Sequence, residues 1–598
     1  MKKAIRLFTI VIVVLFTIST LVACKPEEQH IEKDKYDVIY DLNYEGAQKK
    51  TVQVNANTRA NQWRANRSGY TLEGWYTDKE CSEDKEFDFL NYINADITLY
   101  AKWTKNAEKY IVTIDFNYEG AGENAKINVE EGKTISLGLL PECPRLGMVF
   151  EGFYKDSDLT QKWDLDTDVV TDSITLYAKY ALDPTISRDD DGNVVFENIQ
   201  VTVWNGINMG GSNDVIQKVV NEFNYKYNGQ IKINLSTDLE SIGQDNAALR
   251  IQQNPGANLG TNYYDVADLF DLIGVDYNTS DWYANEDSHV NGRLRSVPLY
   301  ASVPYIIYNK TLMNKYNGTN ALPSSYTEFK NLLTTAYYGE SDTNSNFHSI
   351  FTNISWTYKE ATSMAAFMQN GADYYVYEDG TYLNKWDSEM TNAKTALLNT
   401  YDLFNKNGVV GGSNGALSEY TDETAKSLVT NGDSLMALVN WHATNIEIND
   451  NIGVMPLSGL FADSDKAQYQ YIPVHTVGMQ FYKAKNVNIT QLAAGAVFAD
   501  YLTKNLLEIG NNGGYPLYKE IVQSDEFQNS ENSKIKLLLE CGNPENFHTL
   551  YGSVSGKTII NQTAAETYIV PFISETTRER LEYYISMLKE SINGQLPT

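Results

Sequence analysis

Three short landmarks occur twice in the first third of this chain, in the same order. Asn43-Tyr44-Glu45-Gly46 returns as Asn117-Tyr118-Glu119-Gly120. Gly74-Trp75-Tyr76 returns as Gly152-Phe153-Tyr154, and the run from Ile97 to Trp103 returns as Ile174 to Tyr180. The offsets are 74, 78 and 77 residues, so small insertions separate the landmarks. Matched landmarks in one order mean a duplicated folding unit, with each copy closing its own core. Val112, Ile114 and Phe116 alternate as in a half-buried strand. A glycine before each aromatic pair suggests a strand at a close backbone approach. The duplication predicts two small β-rich modules, over 36–104 and 109–181.

The chain before the repeats constrains the compartment. Lys2, Lys3 and Arg6 precede an almost wholly apolar run from Leu7 to Ala23. A transmembrane helix needs about 20 such residues, and this run is shorter. It reads as the core of a secretory signal peptide over 1–23. Leu21-Val22-Ala23-Cys24 then turns polar at Lys25-Pro26-Glu27-Glu28. This resembles the bacterial lipobox, in which the Cys is acylated and becomes the mature N-terminus. The resemblance implies lipidation at Cys24, a tether over 24–35, and a place on the extracellular face of the cytoplasmic membrane. The other cysteines, Cys81, Cys143 and Cys541, fall in separate regions and read as free thiols.

The repeat landmarks resemble the Listeria–Bacteroides repeat of bacterial surface proteins. The resemblance implies β-grasp-like modules, serving either as a spacer or in adhesion; the spacer reading is favoured, because small cores account for the aromatics. The second copy has Phe153 and Tyr180 where the first has Trp75 and Trp103, so weaker packing is expected there. Residues 182–197 read as a solvated linker. Its acidic run, Asp189-Asp190-Asp191, lacks the spacing and closing Glu of a calcium loop.

The formal net charge of −29 argues against a nucleic-acid partner, since phosphate binding depends on Lys and Arg. The six histidines show no metal-ligand spacing, and no nucleophile elbow is present. A non-enzyme with no cofactor and no metal is therefore expected.

Residues 198–598 carry the functional reading. A strand from Ile199 to Trp204, a helix capped by Ser212 or Asn213, and a strand from Ile231 to Leu235 form a βαβ opening. That predicts a largely parallel sheet with ligands at the carboxyl ends of its strands. Asp265 to Asp268 reads as the end of another strand. Further along come Tyr308-Asn309-Lys310, Gly453-Val454-Met455-Pro456-Leu457 and Gly514-Tyr515-Pro516-Leu517-Tyr518-Lys519. In this order the motifs resemble the extracellular solute-binding proteins of ABC sugar importers, the maltose-binding-protein-like group. The resemblance implies an α/β fold of two lobes, with hinge crossings near 303–308, 475–482 and 513–519. Lobe one would take 198–305 and 483–513, and lobe two 310–474 with much of 520–570.

The same resemblance implies capture of a carbohydrate, with an oligosaccharide favoured, by hinge closure and delivery to an ABC permease, by a monomer. Sugar hydroxyls call for amides and carboxylates, and sugar ring faces call for aromatic rings. Asn205, Asn208 and Asp268 are the polar candidates. Trp441 resembles the stacking Trp of the family, and Trp282, Tyr300, Trp356 and Tyr515 are further aromatic candidates. Trp204, inside the first strand, is read as core. The alternatives are a surface adhesin, a secreted glycosidase, and a binding protein for a non-sugar solute.

Overall fold

The computed structural model describes residues 33–593 apart from 119–120, 122, 208–210, 254, 256–261, 286–287, 291–292, 319–321, 354–360, 373–374, 379–380, 385–389, 406–416, 419–421, 441–448, 464–469, 550–552, 555–556, 559–571 and 573–578. The apolar leader and Cys24 lie outside the described residues. No described helix is long and apolar enough to cross a membrane. The chain divides into two compact units. One takes the residues up to Asp115 with 124–141 and 160–176; the other takes 116–123, 142–159 and everything from Tyr177 on.

The duplication extends to topology. In the first repeat β1 (Lys35–Asp41), β2 (Lys50–Asn55), β3 (Tyr70–Tyr76) and β4 (Ile97–Lys105) form a sheet ordered β2-β1-β4-β3. In the second, β5 (Lys109–Asp115), β6 (Ala125–Glu130), β7 (Met148–Tyr154) and β8 (Ile174–Leu182) are ordered β6-β5-β8-β7. The β3–β4 register slips between Leu72 and Gly74, a bulge that explains the glycine before the aromatic pair. In the first repeat alternate strand residues Val38, Tyr40, Leu99 and Ala101 point into one core around Trp75. The Trp75 Nε1–H donates to Trp63 O at 3.0 Å, so its polar edge is satisfied inside that core.

From Ile199 on, the chain builds two mixed sheets. The first opens with β9 (Ile199–Asn205), α1 (Ser212–Lys226) and β10 (Ile231–Ser236), and β9 and β10 are parallel as the βαβ reading requires. Val215, Ile216, Val219, Val220 and Phe223 of α1 are buried, because the spacing of three and four puts them on one helix face. With β11 (Leu249–Gln253) parallel to β9, this edge is parallel. Its other half is antiparallel, since β12 (Val297–Ser302) and β11 both pair antiparallel with one long later strand.

That arrangement comes from the chain leaving this sheet and returning. β12 ends at Ser302, Val303 intervenes, and β13 (Pro304–Asn309) starts the second sheet. There β13 lies between β16 (Ser434–Asn440) and β17 (Ile452–Pro456), while β14 (His348–Asn353) pairs parallel with β16 and with β15 (Leu417–Ser418). The chain returns as β18 (Ile472–Tyr482), wholly within the first sheet. The face alternation of β13 divides its contacts. Tyr305 and Ile307 join the larger core cluster, with Ala437, Val439 and Val454 of the same sheet; Ile306 and Tyr308 face Phe329 and Leu333 of α3 (Tyr326–Glu340).

Two expectations about the hinge are corrected. The second crossing lies between Pro456 and Ile472, before 475–482, because β18 is already paired with β11 and β12 along that run. Residues 513–519 are no crossing: Tyr515 and Pro516 pair with Tyr300 and Ala301 in the first sheet. Ile521, Val522, Phe527, Ile535 and Leu538 then pack into the larger core cluster, which holds residues of the first sheet together with Val439, Ile452 and Val454 of the second. The second lobe's core is instead completed by Phe572 and by Tyr584, Ile585 and Leu588 of the last helix, Leu581–Asn593.

Candidate functional site

The carboxyl end of β9 is built from alternation and two amides. Val201 and Val203 enter the core, so Thr202 and Trp204 take the opposite face. Asn205 closes the strand and is 1% exposed. Its Nδ2 donates to Asn213 Oδ1 at 3.1 Å, and its Oδ1 accepts from Ile207 N at 3.2 Å. Both ends of the Asn205 amide thus hold the turn into α1. Neither Ser212 nor Asn213 caps α1 as expected. Its preceding residue is Gly211 at φ 84, a conformation that glycine reaches without strain. Asn512 Nδ2 donates to Gly211 O at 3.1 Å, and the Tyr300 hydroxyl donates to Ser212 Oγ at 3.2 Å.

Trp204 corrects the core reading. It is half-buried, and its Nε1–H donates to Thr237 O at 3.3 Å. Gly206 lets the backbone pass beside the ring, since a Cβ there would sit 2.6 Å from Trp204 Cη2. The signal was present in the alternation with Val201 and Val203. An aromatic out of phase with a strand's buried residues faces away from that core.

Three aromatic candidates are corrected in the other direction. Trp282 is buried with its Nε1–H donating to Thr503 Oγ1 at 3.0 Å. Tyr300 is fully buried, and burial pushes its phenol up to about 12. Tyr515 is buried edge-on against Phe547, with centroids 4.9 Å apart, and burial raises its pKa as well. No ring face of these three is open to stack on a sugar. They hold the first lobe together, and each buried ring adds roughly 1.5–3 kcal/mol by removal from water.

Asp268 does not end a strand. It lies in the first turn of α2 (Val266–Ile273), where a carboxylate favours the helix dipole. Its Oδ1 accepts from Arg293 Nη2 at 2.5 Å, while Arg295 pairs with Asp265. Burial is the largest influence on Asp268 and raises its pKa, against the opposing pull of Arg293.

Asn208, Trp356 and Trp441 lie outside the described residues. In sequence, Trp441 directly follows β16, Trp356 follows β14 by three residues, and Asn208 follows β9 by three. β14 and β16 are adjacent and parallel, so both segments leave from the carboxyl ends of neighbouring strands. Two grooves among the described residues contain none of the candidates. One, of about 410 Å³, runs beside Lys218, Glu222 and Glu508; the other, of about 530 Å³, beside Tyr326, Lys330, Asn392 and Asp463. Among the described residues no group of His, Cys, Asp and Glu is arranged to hold a metal ion. Asp189 Oδ1 accepts from Asp191 N and Asn193 N, so its carboxylate is spent on the local turn.

The family model of the Listeria–Bacteroides repeat domain matches residues 36–102 and 113–179. A chain of Evansella cellulosilytica, named only as a membrane protein, is 33% identical over 127 residues, 21% of this chain and 18% of that one. Internalin H of Listeria monocytogenes is 29% identical over 160 residues, 26% of this chain and 27% of that one. The chain thus matches only 18% to 27% of the length of these relatives. Among solved structures, maltose-bound MalE3 of T. maritima aligns with 16% identity and a TM-score of 0.48, covering 66% of this chain and 99% of that one. The UgpB of Mycobacterium tuberculosis in complex with glycerophosphocholine aligns with 16% identity and a TM-score of 0.45, covering 66% and 98%.

Proposed function

We propose that this chain, whose residues 36–102 and 113–179 are Listeria–Bacteroides repeats, is the membrane-anchored solute-capturing component of an ABC importer. The solute is a carbohydrate, with an oligosaccharide favoured, and it is released unaltered to the permease. Domain bounds of 24–35 for the tether, 182–197 for the connection and 198–598 for the receptor are part of the same proposal.

The observation that carries the reading is the β12–Val303–β13 run. Thirteen consecutive buried residues pass between two sheets with one residue between the strands. A few residues at such a junction absorb the φ/ψ change of a hinge. Closure is driven only by a ligand that gains contacts from both lobes in the closed state. The proposed ligand groups divide accordingly. Asn205, Asn208, Asp268 and the half-buried Trp204 belong to the first lobe; Trp356 and Trp441 belong to the second. The Asn205 and Asp268 shares are the weakest chemically, since Asn213 and Ile207 N already engage the one and Arg293 the other. The leader ending at Cys24 supports tethering, because several acyl chains on one Cys bind a bilayer durably.

The test is a thermal-shift screen of the purified chain against mono- and oligosaccharides. A sugar at a hundred times its Kd should add about 2.7 kcal/mol of stability. Trp441→Ala should then weaken that sugar at least tenfold by calorimetry, about 1.4 kcal/mol. A screen in which glycerophosphodiesters shift the transition and sugars do not would replace the sugar with another solute.

A further inference from the structure

We propose that the second repeat carries a docking surface, formed by Tyr118, Arg145, Leu146 and Gly147, that holds helix α2 of the first lobe. The repeat then is not a freely swinging spacer. Four features of the contact support this, and none depends on what the receptor binds.

The first is steric. Gly147 is buried, and a Cβ built on it would lie 2.4 Å from Leu272 Cδ1, near the end of α2. Only a residue without a side chain lets the repeat backbone approach so closely. The second is apolar burial: Leu146 packs against the core cluster that includes Val266, Leu269 and Phe270 of α2, and so does Phe196 from the connecting segment. The third is electrostatic. Tyr118 lies within the fields of Asp268, Asp265 and Arg293, and Arg145 lies 4.9 Å over its ring. The carboxylates of α2 thus meet a surface bearing a cation and a phenol.

The fourth comes from the other repeat. Arg67-Ser68-Gly69 holds the place of Arg145-Leu146-Gly147 ahead of the matched strands β3 and β7. Arg67 covers Tyr44 at 4.5 Å much as Arg145 covers Tyr118. Yet Ser68 and Gly69 are exposed, and nothing lies within 4 Å of a Cβ at Gly69. The same device therefore exists twice, and only the copy with Leu in the middle is covered. The connecting segment agrees. Asp183 N donates to Gly147 O at 3.0 Å, Ile186 is buried, and Arg188 closes a turn onto Gly192 O at 2.7 Å. These contacts tie the segment to the repeat while most of its residues stay exposed.

The experiment is hydrogen exchange on the full chain, with each partner altered in turn and the other read out. Leu146→Ser, which copies the first repeat, should speed exchange of the 266–273 amides at least tenfold. Leu272→Asp should do the same for 145–154, while 35–105 stays unchanged in both. Reciprocal effects separate undocking from local unfolding of the altered segment. Changes confined to the altered segment, or none, would overturn the docking surface.

Discussion

The two repeats have one topology and two different interiors. In the first, Trp75 and Trp103 both satisfy their Nε1–H on backbone carbonyls, Trp63 O at 3.0 Å and Leu42 O at 2.7 Å. In the second, Phe153 needs no partner, and the Tyr180 hydroxyl is buried with no hydrogen bond. Burial also raises the Tyr180 pKa strongly, with Cys143 as a smaller contributor. The second repeat further exposes Ile111, Leu137, Leu139, Val149 and Leu182, where the first exposes Leu90 and Tyr92. Duplication copied the backbone plan and let the side chains diverge toward a self-contained module in one copy and a docked one in the other.

That contrast can be broken experimentally. The largest effect is expected from Trp75→Ala, about 3–5 kcal/mol for an aromatic-to-alanine change in a closed core. Phe153→Ala should cost less, since Trp75 also leaves Trp63 O without its donor. Equal losses in the calorimetric transitions of the two variants would erase the difference between the interiors. A smaller effect separates Gly147 from Gly69. Both have positive φ, 71 and 77, so alanine at either adds about 1–2 kcal/mol of backbone strain. Gly147→Ala alone must also displace Leu272, adding about 1–3 kcal/mol. Matching unfolding midpoints for the two alanine variants would deny the close approach. The smallest change is a gain. Tyr180→Phe removes an unsatisfied buried hydroxyl and should stabilise the second repeat by about 1 kcal/mol in thermal unfolding.

Much of the fold was legible in the pattern of residues. The 3.6-residue spacing from Val215 to Phe223 is the buried face of α1, and alternation around Leu99 and Leu176 marks the inner face of each repeat. The hinge was legible in part. The long extended run 297–310 contains both strands and the crossing, but the second extended run, 472–482, turned out to lie inside one sheet. An apolar extended run announces a buried strand and is silent about which neighbours it pairs with.

The candidate site was legible least. Tyr300, Tyr515 and Trp282 stand at strand or loop ends, where stacking aromatics are found, and are buried by segments distant in sequence: Ser212, Phe547 and Thr503. Trp204 stands inside a strand and is half-exposed. Asp268 is engaged by Arg293, twenty-five residues away.

By itself the sequence determined the duplication, the apolar leader ending in Cys24, and the identity and periodicity of most elements. Those properties are local, set by steric and hydrophobic patterns that span a few residues or repeat at a fixed interval. Only the tertiary structure decided which aromatic is core, where the chain changes sheets, and why Gly147 is covered while Gly69 is bare. Those outcomes depend on what a distant segment places against a given face, and two nearly identical stretches of chain can receive different neighbours.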